Sequence, residues 1–121
     1  MSYQTLTLEK DNHVATITLN RPEMMNAFSE QLIWDMGEAT KVVKNDSQIR
    51  ILVITGEGRG FTAGADLNER DASWTDTKDA LERGYYPFIK NIIDMPKPVI
   101  GSINGAAAGI GAAVAMACDL R

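Results

Sequence analysis

Two glycine-rich segments carry the residues whose types and spacing could do chemistry. The first glycine segment, residues 61–66, reads Phe-Thr-Ala-Gly-Ala-Asp, and the second glycine segment, residues 104–111, reads Asn-Gly-Ala-Ala-Ala-Gly-Ile-Gly. Each is predicted to follow a strand and to open a helix, where backbone N–H groups lack partners and the helix dipole is positive. Such groups can hold a phosphate or stabilise an oxyanion. The alternative is that the glycines only permit tight turns and close helix packing.

Several classes of function are excluded by composition. A dinucleotide fingerprint needs a third glycine after Gly109 and Gly111, but residues 112–114 are Ala-Ala-Val. No Gly-Lys-Ser or Gly-Lys-Thr sequence is present, so there is no P-loop. One cysteine and one histidine exclude an intramolecular disulfide and a Cys/His zinc cluster. The net charge of −4, without a basic block, argues against nucleic acid as a partner. We therefore expect neither a metal nor a nucleic-acid ligand.

The distribution of apolar residues predicts a soluble domain. Apolar residues make up 45% and charged residues 23% of the 121-residue chain, which is the balance of a globular protein. Gly, Lys or Pro interrupts every apolar run well before the roughly 18 residues of a membrane span. Residues 1–10 lack the basic flank and apolar run of a secretory signal. We expect a cytoplasmic protein without a membrane partner.

Hydrophobic periodicity predicts an α/β domain with the order ββ-α-β-α-β-α. Ser29 is the expected N-cap of the first helix, and residues 10–12 are the expected hairpin turn. The run Ile-Leu-Val-Ile at 51–54 is apolar on both faces, which suits a parallel strand buried on both sides. The predicted strands are residues 3–8, 13–19, 49–55 and 98–103, and the predicted helices are residues 29–45, 79–94 and 109–117.

The most apolar part of the chain lies at its C-terminal end, in residues 106–120. A segment of this kind needs other residues to cover it. We expect residues 1–121 to form the N-terminal part of a larger domain whose C-terminal half is absent, or a chain completed by a partner copy.

Three sequence blocks resemble the enoyl-CoA hydratase/isomerase (crotonase) family. They are Asn-Arg-Pro-Glu-Met-Met-Asn-Ala-Phe at 20–28, the strand and glycine segment at 53–67, and a third block at 96–120 that contains Pro-Lys-Pro-Val-Ile and Ala-Cys-Asp-Leu. The resemblance runs from the first strand to the last residue and covers about the first half of a typical member. It implies a crotonase-like spiral of repeated ββα units, truncated after about half, that assembles as a homo-oligomer, either a trimer or a hexamer.

The resemblance also implies a site that binds acyl-CoA thioesters. The N–H groups of Ala65 and Ile110 would hold the thioester oxygen while an enolate forms at the neighbouring carbon. The family usually has Gly where Ile110 stands, but only the N–H is needed. No separate cofactor is implied, because coenzyme A is part of the substrate. The residues that would bind the substrate or its CoA are Asn26, Ala27, Ala63, Gly64, Asp66, Leu67 and Gly109.

Departures from the family pattern bear on the reaction. Hydratases of the family place a catalytic Glu where this chain has Ala113, and their second Glu falls beyond Arg121. Water addition needs both carboxylates, whereas an isomerase can move a proton between two carbons with one. The resemblance therefore favours double-bond isomerisation. The alternatives are a hydratase, decarboxylase or thioester hydrolase on the same scaffold, or an inactive fragment that only binds acyl-CoA or a partner subunit.

Other side chains have two interpretations each. A basic residue that the family carries before Asn26 is replaced by methionine, and Arg21 or Arg59 could supply the charge for the CoA phosphates. Asp66 is expected to act as a helix cap, with Glu69 as its capping-box partner, and not as a base. Cys118 is expected to be a buried, inert thiol. Six apolar side chains could line an acyl-chain pocket, and the alternative is that they belong to the ordinary core or to packing between subunits. They are Met24, Met25, Leu67, Trp74, Tyr85 and Phe88.

Overall fold

A single four-stranded sheet organises the chain. The structure, a computed structural model, describes residues 3–66 and 77–121. The strands lie in the order β1-β2-β3-β4, with β1 antiparallel to β2 and the other neighbours parallel. Their bounds are Leu6–Asp11 for β1, Val14–Leu19 for β2, Ile51–Gly56 for β3 and Val99–Gly101 for β4. The predicted α/β class and element order are confirmed.

The first hairpin turns one residue later than predicted. Asp11 pairs with Val14, so the loop is the two residues Asn12 and His13, with φ of 48° and 70°. Two left-handed residues in a two-residue loop define a type I′ turn, which matches the natural twist of the strands and favours Asn. Strand β1 consequently ends at Asp11, three residues beyond the predicted end, and it also begins three residues later than predicted, at Leu6.

The start of β1 is set by a buried carboxylate. The Thr5 N–H and hydroxyl both donate to Asp35 Oδ2, at 3.0 and 2.6 Å. Asp35 lies in helix α1, Glu30–Asn45. Because the carboxylate takes these donors, residue 5 is bound to the helix before the strand ladder begins. The sequence pattern of 3–8 carried no sign of this long-range contact.

Helix α1 begins and packs as predicted. The Ser29 hydroxyl accepts a hydrogen bond from the Leu32 N–H at 3.1 Å, which satisfies one of the free donors of the first turn. The helix covers one face of the sheet with a stripe of fully buried side chains. That stripe consists of Leu32, Met36, Ala39 and Val43. On β3, Leu52 and Ile54 are fully buried, whereas Ile51 and Val53 on the other face are only partly covered.

The second helical region is interrupted, although its extent agrees with the prediction. Helix α2, Thr77–Ala80, leads through a π-helical turn, Leu81–Tyr85, into α3, Tyr86–Ile93. Pro87 is the second residue of α3 and has no N–H to donate to the preceding turn, which explains why regular α-helical bonding fails just before it. Phe28 stacks on Phe88 with ring centroids 5.4 Å apart, so this region packs on the start of α1.

The C-terminal elements are β4 and α4, Ile110–Ala117. Strand β4 is shorter than the predicted 98–103. The Ser102 N–H makes the last backbone bond to β3, donating to the Ile54 oxygen at 2.8 Å, and side chains take over beyond it: the Thr55 hydroxyl donates to the Ser102 oxygen at 2.8 Å, and Asn104 Oδ1 accepts from the Gly56 N–H at 3.1 Å. On its other edge, β4 is bridged by Leu120 at Ile100. Val114 and Cys118 of this region are buried, as predicted for Cys118. Across residues 3–66 and 77–121, no helix has both the length and the apolar character needed to cross a membrane.

Candidate functional site

The two glycine segments lie side by side. Thr62 and Ala107 form a parallel bridge, in which the Thr62 N–H donates to the Ala106 oxygen at 3.2 Å and the Ala108 N–H donates to the Thr62 oxygen at 3.1 Å. These bonds place the first glycine segment directly beside the chain that leads into α4. The two segments that carry the predicted oxyanion donors are therefore neighbours, and the roles of Ala65 and Ile110 stay predictions.

The other edge of the first glycine segment is held by residues 25–28. The Phe28 N–H donates to the Gly64 oxygen at 2.7 Å, and the Asp66 N–H donates to the Phe28 oxygen at 3.0 Å. The Ala63 N–H donates to the Met25 oxygen at 2.9 Å. The first glycine segment is thus the middle of three adjacent backbone segments.

This pairing fixes the direction of the Ala65 N–H. In an extended chain, successive peptide groups point to opposite sides. Because the groups on either side of Ala65 bind Phe28, its own N–H points away from Phe28, to the side on which the second glycine segment lies. Ala65 is also exposed. Within residues 3–66 and 77–121, this N–H donates no hydrogen bond.

Ile110 is the second predicted donor. It is the first residue of α4, and the preceding Gly109 has no side chain that could cap the helix. Among the described residues, the Ile110 N–H likewise has no acceptor, whereas the next N–H, that of Gly111, donates to the Ala108 oxygen at 2.8 Å. Helix α4 therefore presents one unpaired N–H at its positive end.

Close backbone contact explains why glycine occupies position 64. Its φ is +98°, a conformation that L side chains rarely adopt. A Cβ there would stand 2.8 Å from the Ala108 oxygen and 3.8 Å from the Gly109 Cα. The peptide that leads to Ala65 thus lies against the turn that leads to Ile110, and any side chain at 64 would push the two apart.

Asn26 joins the loops around the site. Its side chain is fully buried, and its Nδ2 donates to the carbonyl oxygens of Glu57, Gly60 and Phe61 at 2.9, 3.1 and 3.1 Å. Its Oδ1 accepts from the Arg21 N–H at 2.8 Å. These contacts make the side chain a structural support of the site, and the assignment of Asn26 to CoA binding stays a prediction.

Arg21 and Asp66 form an ion pair that binds the same loops together. Arg21 Nη2 lies 3.2 Å from Asp66 Oδ2, and the two side chains are only 14% and 4% exposed. Arg21 Nη1 also donates to the Ala27 oxygen. The guanidinium is thus engaged with groups of the chain, which leaves the exposed Arg59 as the better candidate for a contact with CoA phosphates.

The remaining predicted binding residues have mixed surroundings. Ala63 and Gly109 are exposed, whereas Ala27 and Gly64 are buried and can contribute only backbone groups. Leu67 lies outside the described residues, as do Glu69 of the predicted capping box and Trp74 of the predicted acyl pocket. The CoA-binding roles stay predictions.

Tyr85 and Phe88 belong to the core, which confirms the alternative to an acyl pocket for these two residues. Both pack against Phe28, with Tyr85 edge-on at a centroid distance of 5.9 Å. Burial, reinforced by the nearby negative charge of Asp66, raises the pKa of Tyr85.

Met24 and Met25 are exposed beside the site. Within the described residues, no group of three or more His, Cys, Asp or Glu is arranged to hold a metal.

Comparison with known proteins bears on the same segments. A family model described as enoyl-CoA hydratase/isomerase matches residues 9–121, which include both glycine segments and the loop 20–28. The chain belongs to the enoyl-CoA hydratase/isomerase family. The structural comparison agrees: an enoyl-CoA hydratase from Mycobacterium avium subsp. paratuberculosis K-10 superposes with a TM-score of 0.83 at 28% identity, over 98% of this chain and 44% of that one. The predicted crotonase-like fold is confirmed.

Relatives in the enoyl-CoA hydratase/isomerase family have different activities. The chain is 44% identical over 111 residues to the 1,2-epoxyphenylacetyl-CoA isomerase of Escherichia coli K12, covering 88% of this chain and 42% of that protein. It is 39% identical over 117 residues to the (E)-benzylidenesuccinyl-CoA hydratase of Thauera aromatica, covering 96% of this chain and 45% of that protein. The chain spans less than half the length of these relatives.

Position 113 carries alanine, whereas the family resemblance predicts a catalytic Glu at this position in a hydratase. Ala113 is exposed on α4, one turn beyond Ile110, where the resemblance expects the Glu of a hydratase. A methyl group at this position can neither orient water nor exchange a proton.

Proposed function

We propose that the protein acts on acyl-CoA thioesters and stabilises their enolate with the N–H groups of Ala65 and Ile110. The observation that carries this proposal is the orientation of the Ala65 N–H, which points away from Phe28 towards the segment that opens α4. Removal of an α-proton places negative charge on the thioester oxygen, and one pre-aimed donor is typically worth about 3 kcal/mol there. Ile110 adds the positive end of α4 to its own N–H.

The proposed reaction is double-bond isomerisation of an enoyl-CoA. A single base takes a proton from one carbon, the enolate forms, and the proton returns to another carbon, so that no atom is gained or lost. Ala113 supports this choice because it removes one of the two carboxylates that water addition uses. The base itself is proposed to lie beyond Arg121 in the natural protein that contains this chain.

Hydration is the second candidate. The 39% identical relative from Thauera aromatica is named a hydratase, and so is the crotonyl-CoA hydratase of Syntrophomonas wolfei, at 36% identity. A hydratase with Ala113 would need a carboxylate from elsewhere in the natural protein to orient water.

We also propose a cytoplasmic homo-oligomer, a trimer or a hexamer, in keeping with the family resemblance and the acidic, single-cysteine composition.

The two reactions are separated by their products. The natural protein is incubated with a 3-enoyl-CoA and, separately, with crotonyl-CoA. Isomerisation converts the 3-enoyl-CoA to a 2-enoyl-CoA without forming a 3-hydroxyacyl-CoA, and the opposite pattern identifies a hydratase. If neither thioester is turned over but CoA thioesters still bind, the protein is a binding module, and the proposed isomerase is wrong.

The oxyanion role of Ile110 has a sharp test of its own. Proline is well tolerated at the first position of a helix, so Ile110→Pro removes the N–H with little cost to α4. We expect kcat to fall about 100- to 1000-fold, which is the usual cost of removing one oxyanion donor. The matched variant Ile110→Ala keeps the N–H and should lose far less. Equal losses in the two variants would mean that the side chain, and not the amide, is what matters.

A further inference from the structure

The structure assigns Thr62 the role of a positioning residue that holds the two oxyanion donors in register with each other. This inference rests on the proposed function. Thr62 is fully buried in the middle of the site, between the segment that carries Ala65 and the helix that begins at Ile110. Its hydroxyl contacts one of these elements and its methyl group contacts the other.

The hydroxyl fixes the peptides that lead to Ala65. Thr62 Oγ1 donates to the Asn26 oxygen at 2.7 Å and accepts from the Gly64 N–H at 3.2 Å. The second bond holds the Gly64 amide while that residue adopts its φ of +98°. Since the carbonyl of Gly64 and the N–H of Ala65 belong to the same peptide plane, the orientation of Gly64 determines where the Ala65 N–H points.

The methyl group supports the first turn of α4. A Cβ on Gly111 would stand 2.6 Å from Thr62 Cγ2 and 2.7 Å from the Thr62 oxygen, so the two residues are in close contact. Gly111 directly follows Ile110, and the Thr62 oxygen also accepts from the Ala108 N–H at 3.1 Å. The start of α4 therefore rests on Thr62 through its methyl group and its backbone.

Threonine alone combines the two contacts. Valine keeps a methyl group beside Gly111 but removes the hydroxyl and leaves the Gly64 N–H and the Asn26 oxygen without their partner. Serine keeps the hydroxyl and removes the methyl group, which loosens the packing of α4. Thr62→Val should therefore displace mainly the Ala65 N–H, and Thr62→Ser should displace mainly the Ile110 N–H.

The test compares Thr62→Val, Thr62→Ser and Thr62→Ala in the natural protein, by kcat, KM and the C=O stretching frequency of a bound, unreactive aryl-acyl-CoA. A working oxyanion site lowers this frequency by polarising the thioester. We expect Thr62→Val to lower kcat at least about tenfold, with KM changed less, and to return the frequency towards the free value. Thr62→Ser should retain at least about three times the kcat of Thr62→Ala, because its hydroxyl still binds Gly64.

Thr40→Val is the matched control. Thr40 is equally buried, and its hydroxyl donates to the Met36 oxygen at 2.6 Å, in α1 and outside the site. It should reduce stability without shifting the carbonyl frequency. Should Thr62→Val fail to fold, the comparison of Thr62→Ser with Thr62→Ala decides. Equal kcat and equal frequency shift in those two variants would overturn the role of Thr62, whereas a wild-type protein without turnover or shift would overturn the proposed function instead.

Discussion

At the scale of single residues, Asn26 shows how a buried amide side chain joins the loops around the site. Its two N–H donors lie among three carbonyl oxygens, and its φ of 54° is left-handed, a conformation that Asn and Asp tolerate better than most residues. The loop 57–61 and the loop 21–26 are thus joined through one side chain. Loss of that side chain's donors leaves the carbonyls buried and unsatisfied.

Asn26→Asp isolates these donors, because aspartate has the same shape and tolerates the same backbone conformation. We expect the free energy of unfolding to fall by about 3 kcal/mol, since a carboxylate cannot donate to the three oxygens. Urea titration with a fluorescence or circular-dichroism readout measures the change. Asn20→Asp is the matched control at an exposed position. A loss no larger than that of the control would show that the carbonyls are satisfied in another way.

Cys118 provides a pH-dependent prediction. Burial, with a further contribution from the charge of Asp119, raises the pKa of its thiol to about 11, although Arg121 opposes the shift. At pH 9 an unfolded thiol, whose pKa is about 8.5, is about three-quarters ionised, whereas the folded thiol stays almost entirely protonated. We expect alkylation by iodoacetamide at pH 9 to be at least about tenfold slower in the folded protein than in urea.

The folded protein should gain reactivity as the pH rises from 9 towards 11, because the thiolate forms only in that range. A short cysteine peptide in both solvents corrects for the effect of urea, and mass spectrometry of the peptide that contains Cys118 assigns the alkylation. A folded protein that reacts as fast as the unfolded chain would contradict the buried, high-pKa thiol.

Ala65 and Ile110 could be proposed from the sequence because the two glycine segments are local motifs, and their resemblance to the enoyl-CoA hydratase/isomerase family implies which residues are the donors. Thr62 and the Arg21–Asp66 pair could not. Thr62 acts through Asn26 and Gly111, which lie 36 and 49 positions away along the chain. A hydroxyl residue two positions before a glycine is a weak hint of such a contact, since it also suits an ordinary turn.

At the scale of elements, local signals predicted what local interactions determine. The Ser29 cap and the buried stripe of α1 follow from a few neighbouring residues, and the structure confirms both. The late start of β1 arises from Asp35, 30 positions from Thr5, and the backbone pairing of β4 ends where the Thr55 hydroxyl, 47 positions away along the chain, donates to the Ser102 oxygen. Periodicity contains no information about partners at that distance.

The π-helical turn is an intermediate case. Pro87 indicated a bend or a first turn, and the structure places it as the second residue of α3. The predicted helix 79–94 already passes through this region, and what the sequence did not determine is that Leu81–Tyr85 is π-helical. Tyr85 and Phe88, on either side of Pro87, both pack on Phe28, so the helical region keeps both rings in the core.

At the scale of the whole molecule, the described chain has a well-formed core and leaves several large apolar side chains uncovered. Met116 and Leu120, in and after α4, are 69% and 64% exposed, and Ile93 at the end of α3 is also 64% exposed. Exposed apolar side chains that form one patch usually mark a contact with other protein surface. This agrees with a chain that spans less than half the length of its relatives.

The methionines allow this cover to be measured in the natural protein. Met116 is expected to resist oxidation by hydrogen peroxide as well as the fully buried Met36, and far better than Met24, which is 40% exposed beside the site. Mass spectrometry of the separated peptides gives the rate for each residue. If Met116 oxidises as fast as Met24, the surface is open and the prediction is wrong.

If Met116 is protected, repeating the oxidation after dilution identifies what covers it. Protection that is lost as the protein dissociates indicates a partner copy, because residues of the same chain would protect Met116 at every concentration.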